Sequence, residues 1–153
     1  MMREILFRGK CKDTGKWYEG YYVHLHKTTY CFKEDYDRNP DNDMHQIIFE
    51  EMMDWGLPNR HFRVDVIPET VGQYTGLTDK NGKKIFEGDI VNVNTKPNSL
   101  EHGYRSNHLV VRFDEYHRFV ASGRLEYPLC NHYEWEVIGN IHDKPELLKG
   151  GEK

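Results

Sequence analysis

The sequence predicts a mainly β protein of short antiparallel strands, and three observations carry that expectation. Apolar content is only 37 % and mean hydropathy is −0.84, yet ten Tyr, seven Phe and three Trp raise aromatics to 13 % of the 153 residues. Aromatic side chains bury large areas and favour strands, so a few of them suffice for a core. Turn residues punctuate the chain at short intervals, the pattern of small barrels or a rolled sheet. Third, "FRGKCKDTGKWYEGYYV" (7–23) recurs as "YTGLTDKNGKKIFEGDIV" (74–91). The matched pairs run from Phe7 with Tyr74 and Gly9 with Gly76 through Asp13 with Asp79 and Gly15 with Gly82. Lys16 with Lys83, Tyr18 with Phe86, Glu19 with Glu87, Gly20 with Gly88 and Val23 with Val91 complete the set. The offset drifts from 67 to 66 to 68, so turn lengths differ between the copies. The physical reading is one β unit used twice: Gly closes a turn, the aromatic points inward and Glu-Gly bends the strand.

Taken in order, residues 3–10 and 17–25 are expected as strands joined at Asp13-Thr14-Gly15, with Gly15 supplying the positive φ of a tight hairpin. Gly20 suggests a bulge or bend within the second strand. "TTYCFK" (28–33) reads as a third strand, followed by a polar loop over 34–43. Met44, Ile47, Ile48, Met52 and Trp55 would fit one helical stripe, and alternation is not clean, so periodicity leaves 44–52 open between helix and strand; strand is preferred. The chain then turns at 56–59 into strand 61–67, where Phe62, Val64 and Val66 share a side. Asn81-Gly82 is the strongest hairpin signal, leading into a bent strand through Gly88. The loop 95–107 is long for a β domain and is a candidate contact loop. Residues 108–114 and 116–122 form a hairpin, 133–141 the last strand, and Pro145 opens a single helical turn, "PELL". The expected organisation is one domain over 1–148, built of two related β units (about 3–67 and 68–148), with a disordered tail at 149–153.

Net charge is −4 and the pI is about 6.1, with the charges mixed along the chain, which argues against a general phosphate-neutralising surface. Cys11, Cys31 and Cys130 are scattered, odd in number and form no CxxC, so a reducing cytoplasm is expected and a disulfide framework is not. "MMREILFRGK" has no apolar signal region and no run approaches a membrane span.

"PETVGQYTGLTDKNGKKIFEGDIV" (68–91), "REILFRG" (3–9) and "EVIGNIHDKPELL" (136–148) resemble the YopX family of phage and prophage proteins. The resemblance implies a mostly β fold, SH3-barrel-like in part, often assembled into oligomers in a bacterial cytoplasm during phage carriage. It implies no established activity, cofactor or ligand, and its hallmark residues read as turn and packing residues: Gly15, Gly20, Asn81, Gly82 and Gly88.

Candidate chemistry is sparse. His24 and His26, two apart on one strand, share a face. Cys31 on the neighbouring expected strand and Cys130-x-His132 would complete a tetrahedral zinc set, but the spacings are looser than zinc signatures and no metal or other cofactor is expected. "DYDRNPDND" lacks the Gly at position 6 and the Glu at position 12 of an EF-hand counted from Asp35, and reads as a solvated acidic loop. There is no P-loop, GxGxxG, GxSxG or kinase signature, and a free Cys is most simply a small buried hydrophobe. The most basic region is "YRSNHLVVRFDEYHR" (104–118). With Lys96, it offers Tyr104, Arg105, His108, Arg112, Tyr116 and Arg118 as a partner or single-strand nucleic-acid contact, against the simpler reading of a solvated hairpin. The expected function is a non-enzymatic phage accessory or regulatory protein that binds a host or phage protein and self-associates. A weak single-strand nucleic-acid module is second and an unrecognised metal-dependent enzyme third. Edge strands and several Tyr and Trp residues suit the first.

Overall fold

The computed structural model describes residues 4–95 and 105–149, with Thr95 and Arg105 described by backbone alone. The described residues are mainly β, in antiparallel strand pairs, with two short α-helices among them. It separates into two units, Leu6–Val71, and Gly72–Lys153 with Met1–Ile5.

The first unit carries β1 (Phe7–Lys10), β2 (Trp17–His26), β3 (Asp43–Glu51) and β4 (Arg60–Asp65) in the order β4-β3-β2-β1. The end of β4 also reaches the end of β1. Cys11 and Val66 form an antiparallel bridge, Lys12 N donates to Asp65 O at 3.0 Å, and Ile67 N donates to Lys10 O at 2.9 Å. These bonds join the end of β4 back to β1, and in this unit Ile47 and Val66 are fully buried and Cys11 nearly so. Each full burial of such a side chain contributes about 1.5–3 kcal/mol.

The stretch read as strand over about 44–52 is strand β3, Asp43–Glu51. Phe49, on the same face as Ile47, stacks on Tyr18 at 5.2 Å and on Phe62 at 5.8 Å, and alternation is blurred because Met44 and Ile48 on the opposite face are apolar too. Two expectations fail nearby. Residues 28–33 are not a strand, and the polar stretch after them is not a loop. It forms helix α1 (Lys33–Arg38) and a 3-10 turn, Pro40–Asn42. Side chains take the hydrogen bonds a third strand would need. Buried Asn42 accepts from Thr28 N and donates to Thr28 O, both at 2.8 Å, while Tyr36 Oη accepts from Tyr30 N at 2.9 Å. Glu34 and Asp35 in the first turn of α1 and Arg38 in the last suit its dipole.

The second unit carries β5 (Gly72–Thr78) paired with β6 (Lys84–Phe86), then β7 (Asp89–Thr95), β8 (Arg105–Phe113), β9 (Phe119–Ser122), β10 (Glu126–Pro128) and β11 (Tyr133–Asn140). The last five lie in the order β10-β9-β8-β7-β11. Ile85, Val91, Val93, Leu109, Val111, Ala121, Tyr127 and Trp135 form its core. Trp135 Nε1 meets its hydrogen-bonding need at Cys130 O, 2.9 Å away. The strand expected from 116 begins at Phe119, because Asp114 to Arg118 make the turn: Asp114 N donates to Arg118 O at 2.8 Å. Strand β10 was not anticipated. It is three residues long, ends in Pro128 and lies at an edge, where proline is tolerated. The helical turn expected after Pro145 is α2 (Glu146–Lys149). Among the described residues no helix is long and apolar enough to cross a membrane.

Candidate functional site

Three surface features carry chemistry. The first lies on one face of β2 and β3, within the first unit. Register places His24 opposite His45 and His26 opposite Asp43, and residues two apart on a strand share a face. The result is a two-by-two patch of three imidazoles and a carboxylate. Asp43 Oδ1 lies 3.1 Å from His26 Nε2 and 3.5 Å from His24 Nε2. The His24 and His45 rings stack with centroids 4.2 Å apart, and donor atoms of His24, Asp43 and His45 all fall within 4.8 Å of one another. Below the patch, Tyr22 Oη and His45 Nδ1 are 2.6 Å apart.

Local structure holds these groups in place. The Asn42–Thr28 bonds, with Lys27 N donating to Asn42 O at 2.9 Å, deliver Asp43 to the end of β2. The His26 ring meets the edge of Tyr36 from α1 at 5.1 Å. Burial, then the neighbouring His24, holds His45 below the usual imidazole range against the opposing charge of Asp43, so its ring is neutral at neutral pH. Burial and the Asp43 charge push the Tyr22 phenol up, keeping it protonated. Beside Asp43 and His45 opens a cleft of about 320 Å³, also lined by Lys12, Lys27 and Asp41.

Sequence reasoning singled out His24 and His26 but gave them the wrong companions. Cys31 is exposed and lies outside any strand, and Cys130 and His132 belong to the second unit. Among the described residues none of the three joins a metal-capable group. Asp43 and His45 were missed. Pairing β2 with the strand at 44–52 leaves open which residue faces His24, and only the register decides it.

The second feature is the basic hairpin. Lys96 and Tyr104 lie outside the described residues, and Arg105 opens β8. His108 sits at a bulge of β8 with φ 59°, its N–H donating to Asn92 Oδ1 at 3.1 Å, apart from the others in the hairpin. Arg112, Tyr116 and Arg118 do come together, but with acids between them. Arg112 pairs with Glu126, and Arg118 donates from Nε and Nη2 to Asp114 Oδ2 at 3.1 and 2.8 Å while lying 5.3 Å from the Tyr116 ring. Burial would raise the Asp114 carboxyl, but the backbone and guanidinium of Arg118 hold it below the usual range.

The third feature is the end of the β3–β4 hairpin. Trp55 is fully exposed (101 %), with Met52 at 87 % and Leu57 at 58 % beside it in sequence. On the same unit a groove of about 320 Å³ is lined by Leu6, Tyr21, Ile48, Phe49 and His61 among others. Of the residues read as turn residues, Gly15, Gly82 and Gly88 have φ of 68°, 81° and 84° and Asn81 N donates to Asp79 Oδ1 at 2.8 Å, whereas Gly20 lies inside strand β2.

The sequence matches the family described as YopX protein over residues 6–149. The chain belongs to the YopX family. Among solved structures, this YopX chain is similar to protein EF1440 from Enterococcus faecalis, with a TM-score of 0.49, 24 % sequence identity, and coverage of 96 % of this chain and 99 % of that one. No curated protein matches it.

Proposed function

We propose that this YopX protein is a non-enzymatic phage or prophage accessory or regulatory protein of the bacterial cytoplasm, acting by protein binding and self-association. The observation that carries the reading is the β3–β4 hairpin end, where Met52, Trp55 and Leu57 stand in solvent. An unburied Trp forfeits a large hydrophobic gain, and Trp is the residue type most enriched among interface hot spots. Strand β4 beside it terminates the sheet order and offers an edge for pairing. The single-strand nucleic-acid reading draws less support, since Arg112 and Arg118 already have carboxylate partners.

The second copy of the chain is the proposed occupant of this hairpin. Sedimentation velocity over a range of concentrations tests it. The expected result is a reversible oligomer that Trp55→Ser shifts to monomer without changing the circular dichroism spectrum. A chain that is monomeric throughout, or an oligomer indifferent to Trp55→Ser, overturns the assignment of this surface.

A further inference from the structure

The His24, His26, Asp43 and His45 patch has a geometry that ion pairing alone leaves unexplained. Two histidines flanking a carboxylate make an ordinary exposed pair. A third imidazole stacked on His24, with its own Nδ1 engaged by a phenol, adds nothing to that pair. It does add a donor. A tetrahedral ion with metal–ligand distances of about 2.0–2.1 Å has ligand-to-ligand edges of about 3.3 Å. Asp43 Oδ1 already lies 3.5 Å from His24 Nε2, close to that edge, and a donor atom of His45 lies within 4.8 Å of both groups.

From this convergence of donors we infer that the patch is a divalent transition-metal site with His24, Asp43 and His45 as its ligands and water in a fourth position, while His26 holds Asp43 from outside the ligand set. Two imidazoles and one carboxylate suit zinc and its neighbours and do not suit calcium or magnesium, which prefer all-oxygen shells. When His45 Nδ1–H donates to Tyr22 Oη, Nε2 keeps its lone pair for the ion. Tyr22 is then a positioning residue of the kind that metal-bound histidines regularly have. The cleft lined by Lys12, Lys27 and Asp41 gives the ion a way in and leaves room for a water or a small anion next to it. Since the ligands come from two strands and from the residue after the Pro40–Asn42 turn, the ion would fasten β2, β3 and the α1 segment together.

The test is isothermal titration of the full, tag-free chain with Zn2+, together with the visible absorption of the Co2+ form and a thermal melt of each. The expected result is one ion per chain, the intense Co2+ bands of a four-coordinate site, and a melting temperature that rises with metal. His24→Ala and Asp43→Asn, both at exposed positions, should each lower affinity by about tenfold or more and remove the melting shift, the order of loss typical when a metal shell is damaged. His61→Ala and His132→Ala, outside the patch, should leave both unchanged. Absence of saturable binding overturns the inference. So does binding of several ions with equal affinity that His24→Ala and Asp43→Asn leave intact while the variants keep the parent circular dichroism spectrum.

Discussion

In the copy at 7–23, Glu19-Gly20 lies inside the unbroken strand β2, whereas in the copy at 74–91, Glu87-Gly88 is the turn between β6 and β7. The two glycines are therefore required for different reasons. A Cβ at Gly20 would sit 2.2 Å from the Ile48 carbonyl oxygen, so strand β3 approaches too closely for any side chain. At Gly88 the nearest atoms are 3.7 Å away, and the demand is instead a φ of +84°. The turns differ as well. The first closes with Cys11 N donating to Lys16 O, the second with Asp79 N donating to Lys83 O, one residue shorter. The matched acids also fall in unlike places. Asp13 is exposed in its turn, while Asp79 sits buried at the base of the other, accepting from Asn81, Lys83 and Val137 N–H groups. Pairing shifts too: Tyr18 faces Gly9, but its counterpart Phe86 faces Tyr74, because β5 is irregular between Tyr74 and Thr78. A repeated string of residues specifies a hairpin with an inward aromatic; it does not oblige each residue to repeat its job.

Four substitutions separate the copies, read as urea midpoints with the slope checked for a two-state transition. Gly20→Ala forces backbone apart and should cost about 3 kcal/mol, near the top of the range for overpacking. Asp79→Ala strips three amides of one acceptor and should cost about 2 kcal/mol, whereas Asp13→Ala should stay within about 0.5 kcal/mol. Equal losses at the two aspartates would restore the view that the copies are equivalent. Gly88→Ala, strained in φ but with space around it, should cost about 1 kcal/mol. The smallest effect concerns a third turn, Asp114 to Arg118. It repeats the Asp79 bonding, with Tyr116 N and Arg118 N donating to Asp114 Oδ1, but has His117 at φ 60° where the other has Gly82. His117→Gly should raise stability by about 0.5 kcal/mol, the relief of a left-handed residue partly offset by chain entropy.

Acid sharpens the aspartate comparison. Burial would raise the Asp79 carboxyl, but the amides of Val137, Lys83 and Asn81 outweigh it and hold the folded value below the usual one. The unfolded chain therefore takes up its proton first. The stabilisation from Asp79 is complete above the ordinary aspartate value of about 4 and is lost as pH falls through the depressed folded value. Asp79→Asn should flatten the decline in urea midpoint over that window, and an unchanged slope would count against the buried role.

Local chemistry made much of the fold legible. Asn81-Gly82 marks its hairpin because few residue pairs accept the turn, and Pro145 announces α2 because it cannot continue a strand ladder. The stretch 28–33 misled because β propensity is a packing preference, and Asn42 and Tyr36 had already claimed the backbone groups a ladder would use. His24 and His26 were visible as a pair since two residues along a strand return to one face. Their partnership with Asp43 and His45 was not. Those residues lie beyond a helix and a turn that the chain disguises as a loop, and a one-residue slip of β3 would turn both to the opposite face. The sequence by itself determined strands, turns and inward aromatics, because these depend on neighbours within a few bonds. Only the tertiary structure decided which histidine meets which acid, because strand register is set by the burial of Ile47 and its fellows across the whole sheet.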